Sequence, residues 1–312
     1  MDLSIVVPCY NEEESINIFH DELTNSLKEI KGISYETIFI DDGSKDETLK
    51  KIKALSEKDS SIKYISFSRN FGKESALYAG LTKSCGEYVA IMDVDLQDPP
   101  KLLPEMMQIL TSSDSDYDIV STRRSTRKGE PIIRSFFAKL FYKLINKISP
   151  LQLVDGARDY SMMTRQVVDS LLTLTEYNRF SKGLIRWIGF NTKYLEYENI
   201  ERTAGNTSWS FWSLFKYSIE GIVAFTTAPL SVSTYFGFLM AILSFIFILV
   251  IIIRYVIFSD PVQGWASTIC IISFIGGIQL FSIGVLGKYL EKTYIETKNR
   301  PIFIIKESNL ND

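Results

Sequence analysis

Hydrophobic and polar positions alternate with two different periods over the first 125 residues. Five short apolar runs are typical of buried β-strands: LSIVVPCY, ETIFIDDG, IKYISFS, YVAIMD and YDIVSTRR. The segments between them carry apolar residues at helical spacing, as in Ile16, Phe19, Leu23, Leu27 and Ile30. Strands and helices that alternate at this length predict an α/β fold, a Rossmann-like open sheet with helices on both faces.

Two later stretches are longer and more apolar than an ordinary core helix. No charged residue occurs from Gly221 to Ile253 or from Pro261 to Gly287. Each stretch exceeds the roughly 20 residues that a membrane-spanning helix needs. The connection FSDPVQG has no Lys or Arg, whereas GKYLEKTYIETKNR after the second stretch is rich in both. This pattern predicts a two-helix transmembrane hairpin within residues 229–290, with the N-terminal domain and the C-terminal tail in the cytoplasm.

Two segments before the hairpin have an amphipathic pattern. Residues 131–148 place phenylalanines and leucines along one face and lysines elsewhere, which suits the headgroup region of an anionic membrane. The segment 208–228 begins with Trp209 and Trp212, a residue type that favours the membrane interface. Packing on the core of the domain is the alternative for both segments. We therefore divide the chain into a domain (1–207), a juxtamembrane segment (208–228), the hairpin and a tail (291–312).

Composition excludes several classes of function. The formal net charge is −3 and the sequence pI is near 5.5, whereas a nucleic-acid-binding protein needs a basic surface. The cysteines, Cys9, Cys85 and Cys270, are too far apart in sequence for metal-ligand spacing and indicate a reducing compartment. The single histidine, His20, lies within a helical pattern, which argues against catalysis by histidine or a zinc site.

Polar clusters follow each of the five predicted strands. They are Tyr10-Asn11-Glu12, Asp41-Asp42-Gly43, Ser68-Arg69-Asn70, Asp93 to Asp98, and Arg123-Arg124. A turn or a helix cap could explain any one of them, and Asn11 with Glu14 fits a capping box. Ligands of open α/β sheets bind beyond the carboxyl ends of the strands. Five clusters on that edge therefore predict a binding site.

The acidic cluster in YVAIMDVDLQDPP predicts a metal site. Side chains two apart on a strand point the same way, so Asp93 and Asp95 could converge. Two close carboxylates repel each other unless a cation or a proton lies between them. A divalent metal ion is one interpretation, and a solvated acidic turn is the other.

Eight motifs along the chain carry a family resemblance. They are IVVPCYNEEESI, IFIDDGSKDET, FSRNFGKESALYAGL, IMDVDLQDPP, DGARDYSMMTR, RFSKGLIRWIGF, ERTAGNTSWS and YIETKNRPIF. Together they resemble the membrane-anchored family 2 glycosyltransferases of the polyprenyl-phosphate type, the group of bactoprenol glucosyltransferases and dolichol-phosphate mannose synthases.

The resemblance implies a GT-A fold and inverting transfer of a hexose from a nucleotide sugar to undecaprenyl phosphate or another polyprenyl phosphate. The reaction would occur at the cytoplasmic face of a bacterial plasma membrane and supply cell-envelope glycosylation. UDP-glucose is the favoured sugar donor, with UDP-N-acetylglucosamine and GDP-mannose as alternatives. A homo-oligomer, a flippase and a downstream glycosyltransferase are implied as partners.

The resemblance also assigns roles to individual residues. It implies Mg²⁺ or Mn²⁺ held by Asp93, Asp95 and Gln97, and lipid phosphate bound by Arg123 and Arg134. Asp159 would serve as base or orienting group near the acceptor. The nucleotide sugar would contact Pro8, Tyr10, Asn11, Glu12, Asp41, Asp42, Lys73 and Arg202.

One departure and two rival functions stay open. Relatives commonly have arginine where this chain has Ser161, so Arg158 or Arg165 substitutes for it or the acceptor is bound differently. A processive polysaccharide synthase would carry Q-x-x-R-W, but Gly183 stands in place of the glutamine. A non-catalytic membrane adaptor is the second rival, and it gives no chemical reason for the acidic motifs.

Overall fold

The computed structural model describes residues 1–125, 142–149, 154–198, 219, 221–258 and 264–310. The strands are β1 Leu3–Cys9, β2 Tyr35–Asp41, β3 Ile62–Phe67, β4 Tyr88–Ile91, β5 Ile119–Arg124, β6 Ala157–Thr164, β7 Thr192–Tyr197 and β8 Ile305–Ser308. The helices are α1 Ile16–Leu27, α2 Thr48–Lys58, α3 Lys73–Lys83, α4 Leu103–Thr111, α5 Arg165–Leu172, α6 Ser181–Trp187, α7 Ala228–Phe258 and α8 Trp265–Thr297.

The eight strands form one open sheet in the order β7-β5-β6-β4-β1-β2-β3-β8. Strands β4, β1, β2 and β3 are parallel, and β7 is parallel to β5. Strand β6 is antiparallel to both β4 and β5, and β8 is antiparallel to β3. The five strands and the mixed α/β architecture predicted from the sequence are confirmed, whereas β6, β7 and β8 were not anticipated.

Helices cover both faces of the sheet, as the periodicity predicts. Leu3 and Ile5 of β1 share one buried cluster with Phe19 of α1. Val6 points to the opposite face and lies in a second cluster with Ile38 of β2 and Ala76 of α3. This alternation buries β1 on both faces and fixes it at the centre of the sheet.

The first helix begins later than the capping pattern suggests. Helix α1 begins at Ile16, and Asn11 adopts a left-handed conformation with φ of 53° instead of capping it. The Asn11 backbone N–H donates to Ser44 Oγ at 3.0 Å, and Asn11 Oδ1 accepts from the Lys45 N–H at 2.9 Å. The capping prediction is wrong because these side chains connect the loops after β1 and β2 to each other.

The two long helices confirm the predicted hairpin in length and composition. Ala228–Arg254 and Ile271–Thr297 each give 27 residues apolar enough to cross a membrane. Their side chains are largely uncovered, as in Leu280, which is 72 % exposed. After α8 the chain returns to the sheet as β8, so part of the predicted tail belongs to the domain. Both ends of the hairpin therefore lie on the side of the sheet domain.

The described part of the basic amphipathic segment packs on protein. Residues 142–148 are helical, and Ile145 is 1 % exposed. Tyr142, Phe180, Ile222 and Phe225 surround it. Within this part the packing alternative holds for Ile145, while Leu144 remains 45 % exposed. Most of 131–148 and the start of 208–228 lie outside the described residues.

Candidate active site

The acidic cluster forms a turn directly after β4, at the centre of the sheet. Asp95 and Asp98 are 5 % and 0 % exposed, while Asp93 keeps part of its carboxylate accessible. Leu96 has φ of 57°, a left-handed turn that reverses the chain between the two buried aspartates. The Gln97 N–H donates to Asp95 Oδ1 at 3.1 Å and holds this turn.

Lys73, the first residue of α3, connects the acidic cluster to Asp159 of β6. Its Nζ lies 2.7 Å from Asp93 Oδ1 and 2.6 Å from Asp159 Oδ2. Burial opposes the charge of Lys73, but the two carboxylates hold its pKa above the ordinary value. Burial raises the pKa of Asp93 despite the contact with Lys73. Lys73 therefore stays cationic and compensates for two neighbouring negative charges.

Asp159 is held in its ionised form. Burial alone would raise its pKa, but Lys182 at 3.5 Å and Lys73 bring it well below the usual range. A carboxylate with so low a pKa is a weak acceptor of protons near neutral pH. Of the two roles that the resemblance implied for Asp159, the geometry therefore favours orientation over general base catalysis.

A second network of charges lies beneath the acidic turn. Arg158 Nε donates to Asp98 Oδ1 at 2.9 Å, and the Tyr197 hydroxyl donates to the same oxygen. Asp98 Oδ2 is buried and has no hydrogen-bond partner among the described residues. Burial raises the pKa of Tyr197, and the Asp98 charge adds to that effect. The sequence predicts no separate role for Asp98. In the structure it connects the acidic turn to Arg158 of β6 and Tyr197 of β7.

Arg158 and Arg165, the two candidates to substitute for an arginine at Ser161, bond to different parts of the domain. Arg165 Nε donates to the Gly86 carbonyl at 2.9 Å, at the opposite end of β4 from the acidic turn. Arg158 also donates to Gln97 Oε1 at 3.3 Å, as does Arg124. The Gln97 side-chain oxygen thus faces two guanidinium groups.

The predicted nucleotide-binding residues converge at the ends of β1 and β2. Asp41, 1 % exposed, accepts from the Ser44 N–H at 3.0 Å and from Ser66 Oγ at 2.8 Å. Asp42 accepts from the Phe71 and Gly72 N–H groups at 2.6 and 2.9 Å.

Burial raises the pKa of Asp42, although these two N–H groups oppose the shift. At Gly43, which has φ of 68°, a Cβ would lie 2.5 Å from the Arg69 carbonyl carbon, so the loops after β2 and β3 touch. Pro8 pairs with Ile40 in the sheet register, and Tyr10 is 42 % exposed on the open side of this edge. Glu12 accepts from Ser15 Oγ at 3.1 Å. The structure thus brings the predicted nucleotide-binding residues that follow β1 and β2 to one edge, while Lys73 contacts Asp93 and Asp159 beside it.

Of the two residues predicted to bind lipid phosphate, the structure describes Arg123 alone. Arg123 at the end of β5 forms an ion pair with Glu196 of β7, and its Nε lies 2.9 Å from Glu196 Oε1. Arg134 lies outside the described residues, as does Arg202. Arg123 borders Tyr194, so it stands on the same face of the sheet as Asp159.

The carboxylates of the acidic turn suit a hard divalent cation only if a bound substrate supplies further oxygen atoms to it. Among the described residues, no group of three or more His, Cys, Asp or Glu side chains forms a ready cage. Mg²⁺ is commonly bound by one or two carboxylates together with substrate phosphates. Asp93 and Asp95 could supply such carboxylates, and a diphosphate would supply the remaining oxygens.

Sequence reasoning missed two cations that face the site. Lys182 and Arg186 are four residues apart on α6 and line one cavity with Asp159. Both lie in RFSKGLIRWIGF, a motif used for the resemblance but given no chemical role. Their spacing on one helical face was the signal that could have identified them.

Similarity to curated proteins extends over nearly the whole chain. Residues 4–172 match the family model "Glycosyl transferase family 2". A Bacillus subtilis protein named as a glycosyltransferase, CsbB, is 44% identical over 99% of this chain and 92% of its own length. The bactoprenol glucosyl transferase of Shigella phage SfII is 42% identical over 99% of both chains. A solved glucosyl-3-phosphoglycerate synthase from Mycobacterium tuberculosis is 21% identical, with a TM-score of 0.49 over 71% of this chain and 78% of that one.

Proposed function

The chain belongs to glycosyl transferase family 2, and from that premise we propose that it transfers a hexose from a UDP-sugar to a polyprenyl phosphate at the membrane surface. Glucose is the favoured sugar and undecaprenyl phosphate the favoured acceptor, because relatives 42% identical over almost the full chain are named bactoprenol glucosyl transferases. UDP-N-acetylglucosamine and GDP-mannose are the alternative sugar donors.

The observation that carries the proposal is the placement of the acidic turn. Asp93 and Asp95 lie between the predicted nucleotide-binding edge and Asp159, and Lys73 contacts both Asp93 and Asp159. A sugar diphosphate that entered along this edge would bring its leaving group to Asp93 and its sugar toward Asp159. Mg²⁺ or Mn²⁺ held by Asp93 and Asp95 would neutralise charge on the departing diphosphate.

The transfer is a single displacement that inverts the anomeric carbon. An oxygen of the acceptor phosphate forms the new bond to that carbon, and the bond to the nucleoside diphosphate breaks with its electron pair on the leaving group. A phosphate dianion has no proton to lose, so the step needs no strong base. Lys73 faces the negative charge that develops, and Asp159 orients Lys73 and Lys182.

The hairpin supports a lipid acceptor. Its two ends lie on the side of the sheet domain, so a membrane crossed by α7 and α8 would lie next to the site. The distribution of Lys and Arg argues that this side is the cytoplasm. A plasma-membrane enzyme of this orientation would make a lipid-linked sugar for envelope glycosylation, with a flippase and a further glycosyltransferase acting afterwards.

A glycan channel of the processive-synthase type is disfavoured by packing at Gly183. A Cβ built on Gly183 would lie 2.3 Å from Cε2 of Phe225 and 2.8 Å from Cδ1 of Phe180. The glutamine of Q-x-x-R-W would therefore require the Phe225 and Phe180 rings to move.

A transfer assay on the purified full chain tests the proposal. Labelled UDP-glucose, UDP-N-acetylglucosamine and GDP-mannose are offered separately with undecaprenyl phosphate and Mn²⁺. We expect label in the lipid phase from one sugar donor, and its loss with EDTA or in Asp95→Asn. The proposal fails if no sugar donor labels the lipid although the protein binds UDP.

A further inference from the structure

A small cavity with a largely apolar lining lies beside Asp159 on the face of the sheet that carries α6. Its volume is ≈ 80 Å³. Lys182 and Arg186 line it from the helix, and the hydroxyl-bearing side chains of Ser121, Ser161 and Tyr194 line it from the sheet. Ser121 Oγ and Ser161 Oγ are hydrogen-bonded to each other at 2.8 Å at its base. Arg158 and the Asp159 carboxylate line it as well. The polar part of the wall thus combines three cationic side chains, one carboxylate and hydroxyl groups, and this excess of positive charge suits an anion.

The size of the cavity limits what it can hold. A cavity needs roughly 10–15 Å³ of such volume to hold one water molecule, so this cavity has room for several. A phosphate group, with five heavy atoms, is of comparable size.

The position of the cavity indicates the source of the phosphate. Phe180 and Tyr142 form the part of its wall that packs on Phe225, with 5.8 Å between the Phe180 and Phe225 ring centroids. Phe225 lies three residues before α7, the first of the two apolar helices. Thr226 accepts a hydrogen bond through its carbonyl from the Tyr289 hydroxyl of α8 at 2.7 Å. The cavity therefore lies close to the point where the chain enters the hairpin, and Asp159 also lines it.

We propose that Lys182 and Arg186 bind the phosphate of the lipid acceptor. This inference rests on the proposed function. Ser161 is 1 % exposed at the base of the cavity, so its small side chain leaves the space that the phosphate fills. Lys182 lies 3.5 Å from Asp159 and places the phosphate next to Lys73. Arg186 bonds to Tyr194, on the rim where Arg123 also stands.

Steady-state kinetics on the full chain in detergent test this assignment. Lys182→Met and Arg186→Met are compared with Lys193→Met, a matched change on β7 whose ammonium group lies over the Tyr117 ring, outside the cavity. KM is measured separately for undecaprenyl phosphate and for the sugar nucleotide. Loss of one charge-assisted hydrogen bond predicts a rise in the lipid KM of about 10- to 100-fold in each cavity variant. The KM for the sugar nucleotide is expected to stay within about twofold, and Arg186→Lys is expected to recover part of the lipid affinity.

The outcomes separate the inference from the proposed function. A wild type without lipid transfer contradicts the proposed function and this inference together. An active wild type whose two cavity variants keep the lipid KM overturns the inference alone. A rise in the sugar-nucleotide KM instead would show that the cavity serves the diphosphate, which also overturns it. UDP binding and the thermal unfolding midpoint of each variant establish that it is folded.

Discussion

Lys73 Nζ lies 2.6 Å from Asp159 Oδ2, so the first residue of α3 is bound to a carboxylate of β6. The same ammonium group contacts Asp93 in the acidic turn. One lysine thus compensates for charge on both sides of the place where the sugar would be transferred. A divalent cation bound at Asp93 must therefore share that carboxylate with Lys73.

Replacing Lys73 is expected to strengthen metal binding and to slow transfer. In Lys73→Met, Asp93 loses a competing cation, so Mn²⁺ should bind more tightly in the presence of UDP, while kcat falls by roughly 100-fold because a charge facing the leaving group is lost. Electron paramagnetic resonance titration of Mn²⁺ and the transfer assay measure the two effects. Lys83→Met, at the far end of α3, serves as the control. Weaker Mn²⁺ binding in Lys73→Met would contradict this account.

Asp159 is expected to orient other groups without exchanging a proton during turnover. Because Lys182 and Lys73 hold its pKa well below the ordinary value, it stays ionised from about pH 5 to 8 and adds no titration there. Asp159→Asn should lower kcat by about 10- to 100-fold and leave the shape of the pH–rate profile unchanged. An acidic limb present in the wild type and missing from Asp159→Asn would identify Asp159 as the base.

The raised pKa of Glu74 can be tested through protein stability, without the transfer reaction. Its carboxylate accepts from the Ser181 N–H at 3.0 Å and connects α3 to the start of α6. Burial raises its pKa in the folded protein, although Ser181 opposes the shift. The protonated form is thus favoured by folding, and stability is lost as pH rises from the unfolded value of about 4.3 through the higher folded value.

Glu74→Gln should consequently unfold at a higher temperature than the wild type at pH 7. The difference should shrink as pH falls toward about 4, where Glu74 is protonated in both states. Thermal unfolding followed by intrinsic fluorescence at several pH values checks this, with the exposed Glu57→Gln as control. A higher unfolding temperature for the wild type than for Glu74→Gln at pH 7 would contradict the prediction that burial of the ionised Glu74 is destabilising.

The C-terminal strand is expected to stabilise the nucleotide-binding edge. Asn309 Oδ1 accepts from the Tyr64 N–H at 2.7 Å, and its Nδ2 donates to the Ile62 carbonyl at 3.2 Å. Asn309→Ala leaves both β3 groups without these partners and should cost about 1–3 kcal/mol of stability. UDP should also bind more weakly, because β3 leads into the Arg69 loop that touches Gly43.

Equilibrium unfolding and UDP titration measure both effects of Asn309→Ala. Lys306→Ala, an exposed change within the same strand, should alter neither. Equal UDP affinity in Asn309→Ala and Lys306→Ala would show that the edge does not depend on β8.

The sequence predicted the parts of the fold that depend on local pattern. Strands such as LSIVVPC are buried on both faces, so their sequences are continuous apolar runs. The two long helices could be predicted from the length of the apolar stretches and their lack of charge. Strand β6 was missed because ARDYSMMT places Arg158 and Asp159 within the strand itself, where each bonds to a charge from another element. Strand β8 is short, and its partner lies more than 200 residues away in sequence.

Local sequence pattern likewise predicts only part of the candidate site. The aspartates after β2 and β4 could be predicted because the end of a parallel strand is a local feature of the sequence. The contact of Lys73 with Asp159 could not, since it depends on how β6 inserts between β4 and β5. The spacing of Lys182 and Arg186 marks a shared helical face but does not indicate that this face contacts Asp159. The capping pattern at Asn11 misled because side chains that can cap a helix can equally connect two loops.

Identification of the lipid product tests the central claim most directly. Purified full chain is incubated with UDP-glucose, Mn²⁺ and undecaprenyl phosphate, and the lipid is analysed by mass spectrometry and proton NMR. We predict one hexose added to the lipid phosphate, with the anomeric configuration opposite to that of the sugar nucleotide, and release of UDP in equal amount. Glucose recovered in a polymer or as free sugar, with the lipid phosphate unchanged, would contradict the account.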